Sequence, residues 1–129
     1  NWKNAAPDIV LFLSIHAPNR KSHHIEEAIN LLLVTEADSV FSVSREREPI
    51  FSHGRDGLNL LNPGRFAGLN YEKEQLYRFN GSIIALWSDV LMNQDNIFGE
   101  RIGYLEMSSD DSIQIKNERD YESMRATYP

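Results

Sequence analysis

The sequence contains no cysteine, no long apolar segment and no block of basic residues, and each absence excludes a class of protein. Without cysteine there is no disulfide framework, no thiolate metal site and no cysteine nucleophile, which suits a cytoplasmic protein. The longest apolar run is far shorter than the roughly 20 residues that span a bilayer, so we expect no membrane partner. A formal net charge of −6 with no Lys/Arg cluster argues against a nucleic-acid partner. Any anionic substrate must therefore be bound by local residues.

The chain has 129 residues, which fits a single α/β domain or part of one. It begins without Met, and its first strong element, Ile9 to Leu13, is an apolar run typical of a strand buried on both faces. Such a strand needs neighbours on both edges, so we predict that it lies at the centre of a parallel sheet. We interpret residues 1–129 as the C-terminal part of a longer domain, incomplete at its N-terminal side.

The rest of the chain predicts alternating helices and strands. Apolar residues at helical spacing predict a helix over 22–36, and His23 and His24 at its start are interpreted as solvated residues, since neighbouring positions point about 100° apart and suit a shared metal poorly. The other predicted elements are a strand over 39–43, a hairpin around Asp56-Gly57, a strand over 76–87, a short helix from Ser88, a strand over 102–107, a short alternating strand over 112–116 and a helix over 118–127 capped by Asn117.

The segment 62–74 is rich in Gly, Pro and charged residues and contains Phe66, Leu69 and Tyr71. A loop of this length in a compact domain is usually functional or docked on a partner. We predict that it is a loop or dimerisation arm, and that the protein is a homodimer.

The loop Ser14 to Arg20 is the first place to expect a site, because ligands collect at the carboxyl ends of strands in open α/β sheets. It carries His16 and Arg20. The alternative is that it is only a connection between a strand and a helix, since a loop with one His and one Arg is common. Support for a functional site in this loop has to come from elsewhere in the chain.

Three segments together provide it: DIVLFLSIHAPNR (8–20), YRFNGSIIA (77–85) and SSDDSIQIKNERDYE (108–122). In this order they resemble the C-terminal half of the acylneuraminate cytidylyltransferase family, the synthetases of CMP-sialic acid and related CMP-sugar acids. The resemblance implies a nucleotide-diphospho-sugar transferase-like fold, with a Rossmann-like, mostly parallel sheet flanked by helices. It also implies transfer of CMP from CTP to a keto-sugar acid, such as a sialic or related nonulosonic acid, with Mg²⁺ as the cofactor.

The resemblance also implies a set of substrate-binding residues. In the family's strand-end motif Gln-Pro-Thr-Ser-Pro-Leu-Arg, Pro18 and Arg20 match and Ser14 replaces the glutamine. In its Arg-Pro-Asn-Gly-Ala-Ile-Tyr motif, Arg78 matches, and its guanidinium suits a carboxylate or phosphate through paired hydrogen bonds. The full predicted set is Ser14, His16, Arg20, Arg78, Asn80 and Gly81.

The chain departs from the family at the metal site. The pattern Asp-Ser-Ile-Asp-Ile-Asp, whose last two carboxylates hold magnesium, here reads from Asp111 to Lys116 with Gln114 and Lys116 at the metal positions. Mg²⁺ requires hard oxygen ligands, and an ammonium group at this place should repel it. Asp111 remains as a weak candidate ligand that we interpret mainly as a turn residue.

Two classes of function follow. The first is a partial or divergent cytidylyltransferase, inactive as this chain alone because the family's Gly-rich CTP-phosphate segment has no counterpart here. The second is a non-catalytic binding or dimerisation domain that keeps the fold but has lost the magnesium site.

Overall fold

The computed structural model describes residues 8–62, 75–93 and 96–127. The elements in chain order are β1 (Ile9–Leu13), α1 (Ser22–Val34), β2 (Ser39–Arg45), β3 (Phe51–Gly54), β4 (Gly57–Leu60), β5 (Tyr77–Trp87), α2 (Ser88–Asn93), β6 (Ile102–Glu106) and α3 (Glu118–Thr127).

The main sheet has four strands in the order β1-β5-β2-β6. Strand β5 is antiparallel to both β1 and β2, whereas β2 and β6 are parallel. Strands β1, β2 and β6 therefore run in one direction, and β5 is inserted between them in the opposite direction. The predicted α/β class is confirmed.

Helix α1 covers one face of this sheet. Its apolar positions recur every three or four residues, so Ala28 and Leu32 point to the same side and are fully buried. They pack on the buried residues Val40, Ile83, Ala85, Leu105 and Met107. On the other face Phe41 meets Phe79 edge-on, with 5.4 Å between ring centroids, and stacks on Phe98 at 5.1 Å.

The prediction that Ile9 to Leu13 form the central strand is wrong for the described sheet. Strand β1 lies at its edge and pairs only with β5. Phe12 is 44% exposed and Leu13 41%, whereas Val40 in β2 and Ala85 in β5 are fully buried. An apolar run indicates that a strand packs in the fold, but it does not show whether the strand lies at the centre or the edge of the sheet. That position is set by pairing with β5, which is distant in the sequence.

Most other predicted elements are confirmed, including the hairpin, in which β3 pairs antiparallel with β4, and the last helix, where Asn117 Oδ1 accepts the backbone N–H of Asp120 at 2.8 Å. The predicted strand over 112–116 is wrong. The segment is a turn followed by irregular backbone, and the backbone N–H of Ile115 donates to His16 O at 2.7 Å. Its alternating isoleucines, Ile113 and Ile115, are half-buried without a neighbouring strand.

Two further observations concern predicted partners. The predicted arm lies outside the described residues except for Asn62, which is buried and forms hydrogen bonds with Ile50 and Glu48, just before the hairpin. Self-association through this arm stays a prediction. No helix in the described ranges is long and apolar enough to cross a membrane.

Candidate functional site

A cleft of about 250 Å³ lies where β2 and β6 end and β5 begins. It is therefore at the carboxyl edge of the parallel pair of strands, the edge where α/β folds bind ligands. Its lining residues are Ser44, Arg45, Glu46, Arg47, Arg78, Ser109 and Ser112. Three arginines against one glutamate give the cleft a positive charge, in a chain whose formal net charge is −6.

Arg78 is fixed in this cleft by Glu46. Its Nε donates to Glu46 Oε2 at 2.8 Å, and Nη2 lies 2.5 Å from the same oxygen. The Glu46 side chain is 8% exposed, whereas the Arg78 side chain is 64% exposed. Both contacts use one edge of the guanidinium, so the opposite edge is open to a ligand.

Glu46 is itself anchored by backbone. Its Oε1 accepts the backbone N–H groups of Arg47 and Glu48, each at 3.1 Å. The pKa of the Glu46 carboxyl is lowered, chiefly because the N–H of Glu48 and the guanidinium of Arg78 stabilise the charged form, and these contributions outweigh the opposing effect of burial. Glu46 is thus an ionised carboxylate that holds the Arg78 guanidinium in one orientation.

The other two arginines belong to the end of β2 and the residues after it. Arg45 Nε lies 3.5 Å from Glu106 Oε1, and the two side chains are 43% and 42% exposed. An exposed ion pair of this length is weak, so Arg45 can exchange its partner for a ligand at little cost. Arg47 also lines the cleft.

Asn80 and Gly81 lie next to the cleft in β5, but their contacts are within the fold. Asn80 is 7% exposed. Its Oδ1 accepts from Ser42 Oγ at 2.5 Å, and its Nδ2 donates to Ser112 Oγ at 3.0 Å. Gly81 has φ +75°, and a Cβ at this position would collide with the amide of Gln114. Both residues shape the start of β5, and their predicted contact with substrate remains a prediction.

Ser14, His16 and Arg20 form a separate cluster after β1. Arg20 Nη1 donates to Ser14 O at 2.8 Å and to Ser82 O at 3.2 Å. His16 Nδ1 is 2.9 Å from Ile115 O, so this nitrogen carries the proton and donates. None of the three predicted residues lines the cleft that contains Arg78.

The residues at the family's metal positions do not fit Mg²⁺. The side-chain amide of Gln114 donates to Asn80 O, and Lys116 is exposed. Asp111 Oδ1 accepts from Lys21 Nζ at 3.1 Å, while its Oδ2 lies 3.5 Å from His24 Nε2. Lys21 is also the main reason why the pKa of Asp111 is lowered. Within the described ranges no group of three or more His, Asp or Glu residues could hold a metal ion.

Two residues here were not recognised from sequence. Arg45 to Glu48 is a charged stretch, and nothing in its sequence shows which of its two carboxylates turns inward. The interpretation of His24 as solvated is wrong: it is 4% exposed, and its Nδ1 accepts the backbone N–H of Lys21 at 3.0 Å. Its pKa is lowered, chiefly by burial and then by the neighbouring His23. The signal that could have been used is the position of His24, three residues after Lys21, where a side chain can accept the N-cap backbone N–H as in a capping box.

Comparison with known proteins supports the fold. No family model matches the chain. No curated protein matches it. Among solved structures it is similar to 4-diphosphocytidyl-2C-methyl-D-erythritol synthase from Anaerococcus prevotii DSM 20548, with a TM-score of 0.63 and 12% sequence identity. The alignment covers 97% of this chain and 61% of that enzyme. The predicted nucleotidyltransferase-type fold is confirmed.

Proposed function

We propose that the protein carries the acceptor side of a cytidylyltransferase-type reaction, in which CMP passes from CTP to a sugar acid, such as a sialic or related nonulosonic acid. The observation that carries this proposal is Arg78, held by the buried Glu46 in a positive cleft at the carboxyl edge of the sheet. Two findings support it. The solved structure that the chain resembles is that of a 4-diphosphocytidyl-2C-methyl-D-erythritol synthase, and the RFNG sequence from Arg78 to Gly81 resembles the sugar-acid motif.

In this proposal the sugar carboxylate binds the open edge of the Arg78 guanidinium. A guanidinium can form two parallel N–H···O bonds to a carboxylate, which fixes its orientation as well as its charge. Glu46 is a positioning residue, because it holds the other edge through Nε and Nη2. Asn80 keeps the start of β5 in place through its bonds to Ser42 and Ser112.

The nucleotide and the remaining partners are also part of the proposal. CTP is proposed to bind a segment outside residues 8–122, because the family's Gly-rich CTP-phosphate segment has no counterpart among them. Gln114 and Lys116, which stand at the family's metal positions, do not fit Mg²⁺. We further propose a cytoplasmic homodimer in which residues 62–74 contact the second subunit.

A second candidate function has its own observation. Gln114 and Lys116 replace the family's metal-binding carboxylates, and Gln114 is committed to a hydrogen bond with Asn80 O. This arrangement favours a non-catalytic domain that binds the acid or dimerises but does not transfer CMP.

Calorimetric titration with N-acetylneuraminic acid tests the acid-binding part. We expect Arg78→Gln to weaken binding about tenfold or more, because a hydrogen-bonded charge pair is lost. Arg101→Gln is the matched control, since Arg101 is an exposed arginine just before β6, at the opposite end of the strand from the cleft. Equal affinities for the wild type and Arg78→Gln would contradict the proposal.

Formation of CMP-sugar from CTP and the same acid, measured with a protein that also carries the proposed CTP-binding segment, then separates the two candidate functions. Turnover that Arg78→Gln reduces supports the transferase. Arg78-dependent binding without turnover supports the binding domain.

A further inference from the structure

The cleft offers more positive charge than one carboxylate requires. Arg78 already shares its charge with Glu46, and Arg45 has its ion-pair partner, Glu106, outside the lining. Arg45 Nε lies 3.5 Å from Glu106 Oε1, in an exposed and therefore weak pair. A ligand that brought a single carboxylate to Arg78 would leave the guanidinium of Arg45 in this weak pair.

The neutral groups of the cleft suit an oxygen-rich ligand. Ser44 and Ser109 line it, and within the part of the chain that the structure describes their hydroxyls make no hydrogen bond. Ser112, by contrast, donates to Ser108 O at 2.7 Å and accepts from Asn80. Two hydroxyls beside arginines can donate to phosphoryl oxygens, which accept several bonds at once.

The size of the cleft limits what it can hold. A volume of about 250 Å³ is below the roughly 300–1,000 Å³ of pockets that enclose a drug-sized ligand. It accommodates a small anionic group and the few atoms bonded to it, but not a whole nucleotide sugar.

We infer that Arg45, together with the Ser44 and Ser109 hydroxyls, binds a phosphoryl group next to the acid at Arg78, without a metal ion. Guanidinium groups match phosphate geometry through paired hydrogen bonds and carry permanent charge, so they can stabilise a phosphoryl dianion where Gln114 and Lys116 provide no magnesium site. This inference rests on the proposed function, because it places the phosphoryl group beside the sugar acid. The group belongs either to the nucleotide or to a phosphorylated acceptor.

Titration with inorganic pyrophosphate in EDTA tests the site directly. We expect binding that persists in EDTA and that Arg45→Gln weakens about tenfold, since a charge-assisted hydrogen bond is lost. Arg101→Gln should leave the affinity within about twofold, because screening at physiological salt makes a distant exposed charge a weak contributor. Urea unfolding of both variants checks that Arg45→Gln, at an exposed position, folds like the wild type.

Absence of pyrophosphate binding, loss of binding in EDTA, or equal effects of Arg45→Gln and Arg101→Gln would overturn the inference. Competition then identifies the source of the phosphoryl group. Displacement of pyrophosphate by CTP assigns it to the nucleotide, displacement by N-acetylneuraminic acid 9-phosphate assigns it to the acceptor, and displacement by neither overturns the inference. Pyrophosphate binding without sugar-acid binding would contradict the proposed function alone, and sugar-acid binding without pyrophosphate binding would contradict this inference alone.

Discussion

Replacing Gly81 by alanine should destabilise the fold through two separable effects. Gly81 has φ +75°, a conformation that costs a residue with a Cβ about 1–2 kcal/mol. The added Cβ would also collide with the side-chain amide of Gln114, which donates to Asn80 O. Loss of that hydrogen bond contributes about 0.5–1.5 kcal/mol, so we expect a total decrease of about 1.5–3.5 kcal/mol in the free energy of unfolding.

A double-mutant cycle separates the two effects. In a Gln114→Ala background there is no amide to displace, so Gly81→Ala should cost only the backbone strain of about 1–2 kcal/mol. Urea unfolding followed by circular dichroism gives the four free energies. Gly57→Ala is the control: Gly57 has φ +141° and open space around its missing Cβ, so its cost should be the same in both backgrounds. An equal cost of Gly81→Ala in both backgrounds would refute the role given to Gln114.

Three further outcomes follow from the structure. The fold lowers the pKa of His24 from its ordinary value of 6.5, so the contribution of His24 to stability is fully present above pH 6.5 and is lost as the pH falls through the lowered pKa. Urea unfolding should therefore show a smaller loss of stability at acid pH in His24→Gln than in the wild type. Leu11 packs on the core while Phe12 is 44% exposed, so Leu11→Asp should cost several kcal/mol in thermal or urea unfolding and Phe12→Asp about 1 kcal/mol or less; the reverse order would contradict the placement of β1. Millimolar Mg²⁺ should not raise the melting temperature of the wild type; a rise that Asp111→Asn abolishes would show that Asp111 binds the metal.

The local elements could be predicted from the sequence because their signals are local. The period of the apolar residues predicted α1, the Asp56-Gly57 turn predicted the β3–β4 hairpin, and Asn117 predicted the start of α3. The order of the strands could not be predicted in the same way. It depends on the pairing of β1 with β5, whose paired residues, such as Leu11 and Ala85, are far apart in the chain.

The candidate site was predicted only in part, because one of its residues belongs to a local motif and its partner comes from a distant segment of the chain. Arg78 was found through its motif and does line the cleft. Its partner Glu46 comes from a different strand end, and the sequence does not show whether Glu46 or Glu48, two positions further on, faces Arg78. The alternation of Ile113 and Ile115 predicted a strand, but two half-buried isoleucines also fit an irregular segment packed on the domain.

The affinity of Glu46→Gln for N-acetylneuraminic acid tests most directly the claim that Glu46 positions Arg78 for an acid. The substitution removes a negative charge from the cleft, so attraction between charges alone would make acid binding tighter. The geometry predicts the opposite, because an amide N–H at the position of Oε2 cannot accept from Nε and Nη2, and the guanidinium loses its orientation. We expect calorimetry to show weaker binding than in the wild type, in a variant that unfolds cooperatively in urea. Tighter binding would contradict the account.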